Sequence, residues 1–327
     1  MPAGSKRAFD GKLEALEALR SAPDSPSTAE QLRKALKDRN NYLVSKAAEI
    51  VSHAQLAPLI PDLIEAFNRF LIDPVKTDPQ CWAKNAIAKA LKNLEHQDPE
   101  IFLKGLSHFQ LEPVWGGRSD TAATLRGTCA LALIGCRLSL LQILAHLVDA
   151  LADPEKPVRV DAARALAQLS QPEGALLLRL KALVGDPEPE VVGECFTALL
   201  SIATDAVSFV AQFLERGDAE IRIEAAAALG SSREPEAIAI LKQYWQRCGE
   251  PELKRAILTS LGASPLPEAA EFLLSVISEA PAQTAAEAIA ALASSRHRSE
   301  MRARAAAVVE ARNEPSLQRV LQHEFGN

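Results

Sequence analysis

Aromatic residues make up only 5% of this 327-residue chain, and methionine occurs twice. Alanine and leucine fill the apolar positions instead, a mixture that favours helices packed closely through small side chains. Positive charge is not in surplus: Lys and Arg total 36 against 42 Asp and Glu, a formal net charge of −6. Up to Arg137 the chain carries 18 basic and 16 acidic residues, and beyond it 18 and 26. A protein whose main task is gripping phosphate backbones needs a basic surplus somewhere; none occurs, which makes nucleic acid an unlikely partner. Long apolar runs are missing too. No uncharged stretch reaches the roughly 18 residues of a membrane helix, and the opening MPAGSKRAFD has no apolar leader core. No membrane association is expected, and a cytoplasmic location is.

Paired cysteines are also lacking. Cys81, Cys129, Cys136, Cys195 and Cys248 are odd in number, scattered, and without C-x-x-C spacing, a pattern of buried thiols in a reducing compartment. The six histidines are dispersed, with no two on one helix face four residues apart. Neither metal-ligand spacing, nor G-x-S-x-G, nor a P-loop occurs. No catalytic residue, metal or cofactor is expected, and the chain is read as a non-enzyme.

What is present is a repeat. DPQCWAKNAIAKALKNL from Asp78, DPEKPVRVDAARALAQL from Asp153 and DPEPEVVGECFTALLSI from Asp186 each start with Asp-Pro and run into a helix. In each, apolar or alanine positions recur at i, i+3, i+4 and i+7. The frame also fits DRNNYLVSKAAEIV from Asp38 and DTAATLRGTCALALIG from Asp120, so five aspartates stand 40, 42, 33 and 33 residues apart. Looser copies follow at GDAEIRIEAAAALGSS, GEPELKRAILTSLGAS and APAQTAAEAIAALASS. Other amphipathic segments alternate with these, and no segment shows strand alternation bounded by turns. The spacing predicts an all-α chain of helical hairpins. One hairpin cannot bury both faces, so the pairs must stack into a solenoid.

The pattern resembles HEAT repeats, in which the second helix of each pair carries D-x5-R followed by apolar positions. Asp153 with Arg159 and Asp120 with Arg126 match it, as does Asp78 with Lys84 in place of arginine. Asp38 and Asp186 keep the acid but have Val44 and Val192 six residues on. The short C-terminal periods are most similar to bacterial HEAT-like repeats of the phycobilisome-lyase type. The resemblance implies a right-handed α-α superhelix of about eight hairpins over residues 28–295. Residues 1–27 are expected as a helix and linker cap, with SAPDSPS (Ser21 to Ser27) as the linker, and residues 296–327 as capping helices. HEAT-like di-iron hydroxylases use several His-Glu pairs; here only His323-Glu324 occurs.

Against this frame one stretch stands out. QLEPVWGGRS, Gln110 to Ser119, is several residues longer than the corresponding joint ADPEKP of the next repeat. Insertions in solenoids fall on one face and often bind something. Trp115 is either an interface anchor or a lid folded over the helix joint, and Gly116 and Gly117 permit positive φ. Arg118 precedes a helix N-terminus, where anions are attracted. On the preceding second helix, Trp82, Asn85, Lys89 and Lys92 form one stripe, which in HEAT-like arrays faces the concave side.

The expected function is a protein-binding scaffold or adaptor, without enzymatic activity. Its concave face and the 110–119 loop would hold a protein partner through Trp115 and Trp82, with Arg118, Lys89 and Arg126 steering it. The alternative is an accessory role in an enzyme or cofactor-attachment (lyase-like) system. A DNA-binding HEAT-like protein comes third, disfavoured by the acidic balance.

Overall fold

The computed structural model describes residues 3–21 and 26–326. The expected linker Ser21 to Ser27 therefore falls partly outside the described residues, at 22–25. The chain divides into two compact units, Met1–Gln168 and Leu169–Asn327, and both are built from consecutive α-helices.

In the first unit α1 (Ala3–Ser21) is followed by α2 (Pro26–Leu36), α3 (Asn41–His53), α4 (Ile60–Phe70) and the single turn α5 (Pro74–Thr77). Next come α6 (Trp82–Asn93), α7 (Pro99–Leu106), β1 (Leu111–Val114), β2 (Gly117–Asp120), α8 (Ala123–Leu133), α9 (Leu140–Leu151) and α10 (Lys156–Leu169). The pairs α2–α3, α4–α6 and α7–α8 pack as hairpins, and the second helices α3, α6 and α8 pack on one another in turn. A continuous core from Leu16 to Cys136 runs through them, with Phe67, Phe70, Phe102, Ile87 and Leu91 among its fully buried side chains.

The second unit holds α11 (Pro172–Val184), α12 (Pro189–Ile202), α13 (Ala206–Arg216), α14 (Ala219–Ser231) and α15 (Pro235–Arg247). It continues with α16 (Pro251–Ala263), α17 (Pro267–Glu279), α18 (Ala282–Ala293), α19 (Arg298–Arg312) and α20 (Pro315–Phe325). The same rule holds: α11–α12, α13–α14, α15–α16, α17–α18 and α19–α20 are pairs, and α12, α14, α16, α18 and α20 stack in order. Proline at the first turn opens α11, α12, α15, α16, α17 and α20, where its missing N–H costs no hydrogen bond. This is an all-α solenoid architecture.

The repeat aspartates explain how each second helix begins. Asp38, Asp120, Asp153 and Asp186 each accept, through Oδ1, the backbone N–H two residues on, at 2.9–3.0 Å. This side-chain turn replaces a backbone one and redirects the chain into the helix. Asp78 differs. Its carboxylate accepts the N–H groups of Ala83 and Lys84 at 2.9 and 3.0 Å, because Gln80 and Cys81 intervene in the left-handed region, at φ 62° and 55°.

One expectation needs correction. Among the described residues two strands occur, β1 and β2, paired antiparallel with Leu111 opposite Asp120 and Val114 opposite Gly117. They are the 110–119 insertion, which forms a β-hairpin rather than a plain loop. Trp115 and Gly116 are its two turn residues, and Gly116 supplies the positive φ of 88° that a type II turn requires at that place. Neither Gly116 nor Gly117 has any atom within 4 Å of where a Cβ would stand, so no second backbone approaches them.

Candidate partner-binding surface

The base of the hairpin is built from buried polar groups. Glu112, 5% exposed, accepts four hydrogen bonds: from the Gln80 N–H at 2.6 Å, Gln80 Nε2 at 3.2 Å, Gln110 Nε2 at 2.7 Å and Thr121 Oγ1 at 2.7 Å. Burial alone would raise its carboxyl pKa. The bonds from Thr121, Gln110 and Gln80 outweigh that and hold it below the usual value. Gln110 also donates to the Asp78 carbonyl at 2.8 Å. Glu112 thus ties β1 to the strained turn that starts α6, and satisfies a donor which the left-handed backbone at Gln80 withdraws from helical bonding.

Asp120 closes the other strand. It accepts the Gln110 and Ala122 N–H groups and pairs with Arg126 at 2.5 Å. Its burial, which would raise the pKa, is overcome by those backbone bonds and by the guanidinium, so the net direction is downward. Arg126 reaches on to Asp153 of the next repeat at 2.7 and 2.9 Å and donates to the His108 carbonyl at 3.1 Å. It lies 4.0 Å from the Phe109 ring centre. With a relative exposure of 1% it has no surface to offer. The expected role of Arg126 in steering a partner is therefore withdrawn: desolvation and two carboxylates fix it inside the stack.

The remaining repeat positions also carry paired charge. Lys84 and Asp78, both fully buried, meet at 2.9 Å, and the lysine donates to the Phe70 carbonyl as well. Arg159 donates to the carbonyls of Asp153 and Pro154 at 2.9 and 2.8 Å. Asp38 and Asp186, which lack a base six residues on, receive one from elsewhere. Lys12 of α1 reaches Asp38 at 2.6 Å, and Lys181 of α11 reaches Asp186 at 2.7 Å.

Trp115 does not fold back. It stands at the hairpin tip with a relative exposure of 103%, which sets aside the lid, one of the two alternatives. Val114 next to it, Leu111 at the base of β1 and Phe109 before β1 are each about half exposed. Arg118 is exposed on β2, facing Pro113 across the pair, and belongs to no ion pair among the described residues. Hydrogen bonds hold the base while the tip is left to solvent.

Trp82 and Lys89 occupy a second surface, a groove of about 890 Å³ between α3 and α6. Its walls carry Asn85, Lys89 and Asn93 from α6 and Ser45, Glu49 and His53 from α3; its floor carries Ala86 and Ala90. Tyr42 and Trp82 close one end in an edge-on contact at 5.6 Å. Asn93 rather than Lys92 continues the predicted stripe into the groove. Glu49, the repeat equivalent of Lys89, faces the same space and is tied to Lys46 at 2.8 Å. No hairpin residue lines the groove; the two surfaces are joined through Glu112 and Gln80, two residues before Trp82.

No helix among the described residues is long and apolar enough to cross a membrane. All five cysteines are buried, and burial pushes the thiols of Cys81 and Cys195 up to about 12.

The family profile described as HEAT repeats matches residues 176–262 and 207–293. The matched stretch, residues 176–293, is similar to HEAT repeats. Both matches lie in the second unit; in the first unit the aspartates carry the repeat frame. Among solved structures, the chain is similar to human deoxyhypusine hydroxylase in complex with glycerol, with 21% identity over 77% of this chain and 89% of that one, and a TM-score of 0.30. It is also similar to the complex of CpcE and CpcF of phycocyanin lyase from Nostoc sp. PCC7120, with 20% identity over 89% and 97% of the two chains and a TM-score of 0.36. No curated protein matches.

Proposed function

We propose that this chain is a non-enzymatic scaffold that binds a protein partner. In this reading residues 28–295 form the binding array and residues 1–27 and 296–327 cap its ends. One observation supports the reading above the others: a fully exposed tryptophan on a hairpin whose base is fixed by buried hydrogen bonds. Leaving a large aromatic side chain in water forgoes roughly 2–3 kcal/mol of burial, and a pre-ordered anchor loses little entropy when a partner covers it. Arg118 beside the tip, and Trp82 with Lys89 in the α3–α6 groove, complete the binding set.

The test compares wild type with Trp115→Ala, and with Leu176→Ala as an exposed control distant in sequence. Each is used to retrieve partners from the native host, and the retrieved protein is then titrated in purified form. The reading expects about a tenfold or greater loss of affinity for Trp115→Ala, none for the control, and equal thermal melts for all three. Equal affinity of wild type and Trp115→Ala would remove the hairpin from the interface.

A further inference from the structure

The groove between α3 and α6 differs in chemistry from the hairpin, and its chemistry is specific. On α6, Asn85, Lys89 and Asn93 follow one another at i, i+4 and i+8. Each such step rises about 6 Å along the helix. A peptide in extended conformation repeats its same-face groups every two residues, about 6.6 Å. The two periods match over the length of the groove, since the twelve residues of α6 span about 18 Å, room for about five extended residues.

The asparagines suit a backbone. A carboxamide carries one acceptor and two donors, the complement of a peptide group. The Asn85 Oδ1 accepts from Thr128 Oγ1 at 3.4 Å, and the Asn93 Nδ2 donates to Ser52 Oγ at 3.0 Å. These bonds orient both amides from neighbouring helices. The Asn85 nitrogen and the Asn93 oxygen have no partner among the described residues.

The charge selects a side chain. Glu49 is neutralised by Lys46 at 2.8 Å, whereas Lys89 is exposed in the middle of the stripe and forms no ion pair among the described residues. One uncompensated cation favours a carboxylate there. A single such cation is too little for a nucleic-acid backbone. The polar walls and alanine floor offer a partner helix no apolar seat. Tyr42 and Trp82 provide an apolar surface at one end only.

We propose that the α3–α6 groove holds an extended acidic peptide segment. Asn85 and Asn93 pair with its backbone, Lys89 receives an Asp or Glu side chain, and an apolar side chain rests on Tyr42 and Trp82. The proposal rests on the protein-partner reading above and specifies which part of a partner enters the groove.

The test presents the full-length chain to an array of random capped hexapeptides, then titrates the best binders in solution. Enrichment of Asp or Glu two to four residues from an apolar residue is expected. Lys89→Glu should invert the preference to Lys or Arg, and Asn85→Ala with Asn93→Ala should weaken the enriched peptide about tenfold, the scale of one or two hydrogen bonds. N-methylation of the backbone amide that faces the Asn93 oxygen should do the same. Leu176→Ala, an exposed position that does not line the groove, should leave peptide binding unchanged. No enrichment, or a preference indifferent to Lys89→Glu, overturns the proposal, and so does binding of a DNA duplex or self-association that is lost in Lys89→Glu. If partner capture depends on Trp115 while the array shows no acidic preference, the scaffold reading stands and the groove assignment fails. If acidic peptides bind as described but no partner is captured through the hairpin, the reverse holds.

Discussion

Arg126 grips Asp153 of the following repeat with two parallel hydrogen bonds, Nε to Oδ2 at 2.7 Å and Nη2 to Oδ1 at 2.9 Å. A planar guanidinium meets a carboxylate in this way with fixed geometry as well as fixed charge. The remaining Nη1 pairs with Asp120 at 2.5 Å, so one arginine bridges the aspartates that open two successive second helices. The starts of the two helices are thereby joined by charge.

Removing that arginine leaves two buried carboxylates without a counter-charge. Arg126→Ala is expected to lose about 3–5 kcal/mol of stability, the cost of breaking a buried ionic cluster from one side. Arg126→Lys keeps the charge but not the fork and should lose less. Denaturant titration of the three proteins measures both, and a change below about 1 kcal/mol for Arg126→Ala would show the bridge to be dispensable.

The hairpin predicts a local effect. Glu112→Ala removes the acceptor for four donors, among them the Gln80 N–H at 2.6 Å, and should cost about 1–3 kcal/mol for the donors left buried. Hydrogen exchange should quicken at Gln80 and at Thr121, whose N–H bonds to the Gln110 carbonyl at 3.0 Å, with α11–α20 unaffected. Acid acts in the same direction. The folded pKa values of Glu112 and Asp120 are depressed. Their contribution is therefore present above the ordinary carboxylate range and is lost as pH falls through the lower folded values. Protection of the hairpin amides, taken relative to the intrinsic exchange rates, should fall steeply below about pH 4 in wild type and less steeply in Glu112→Ala.

The alternation of helices and their pairing were legible because the second helices share a 3.6-residue apolar pattern, which in five of them follows a repeat aspartate. The hairpin was not. LEPV and GRSD lack apolar alternation, and Pro113 carries no N–H; the strands exist because Glu112 and Asp120 are pinned from outside the pair, which no local pattern reveals. The partners of Asp38 and Asp186 were hidden for a related reason: Lys12 and Lys181 belong to preceding helices, outside the D-x5-R frame. Arg126 was legible as a repeat arginine, and that same role removes it from the surface. Lys92 gave way to Asn93 because a stripe on a helix of 3.6 residues per turn drifts, and counted from Asn85 the groove follows i, i+4, i+8 rather than i+7.

Glycine enters the stack at equivalent positions. Gly230 of α14 and Gly262 of α16 hold the fourth place in the matching stretches AALGSS and TSLGAS. A Cβ on Gly230 would stand 2.5 Å from the Ser260 carbonyl oxygen, and one on Gly262 2.5 Å from that of Ala291. Those obstacles are backbone of the next second helix and cannot rotate away. Gly230→Ala is expected to destabilise by about 1–3 kcal/mol through overpacking, despite alanine's better helix propensity. Gly249→Ala, with open space around its Cβ, should be near neutral. Thermal melts of the two variants decide the matter, and a stabilised Gly230→Ala would mean that the helices separate at little cost.

Glu224 of α14 predicts the opposite pH response to Glu112. Burial raises its pKa, and the neighbouring Glu190 carboxylate raises it further. A carboxyl whose folded pKa lies above the unfolded value gives its full stabilisation below the unfolded pKa and loses it as pH rises through the folded one. At neutral pH Glu224 is thus a liability to α14. Glu224→Gln, which keeps the shape and removes the titration, should raise stability at pH 7 and bring little or no gain near pH 4, where the wild-type group is protonated. Hydrogen exchange across α12–α14 at the two pH values reads this directly. A variant less stable than wild type at pH 7 would mean that an ionised Glu224 is held by a compensating partner.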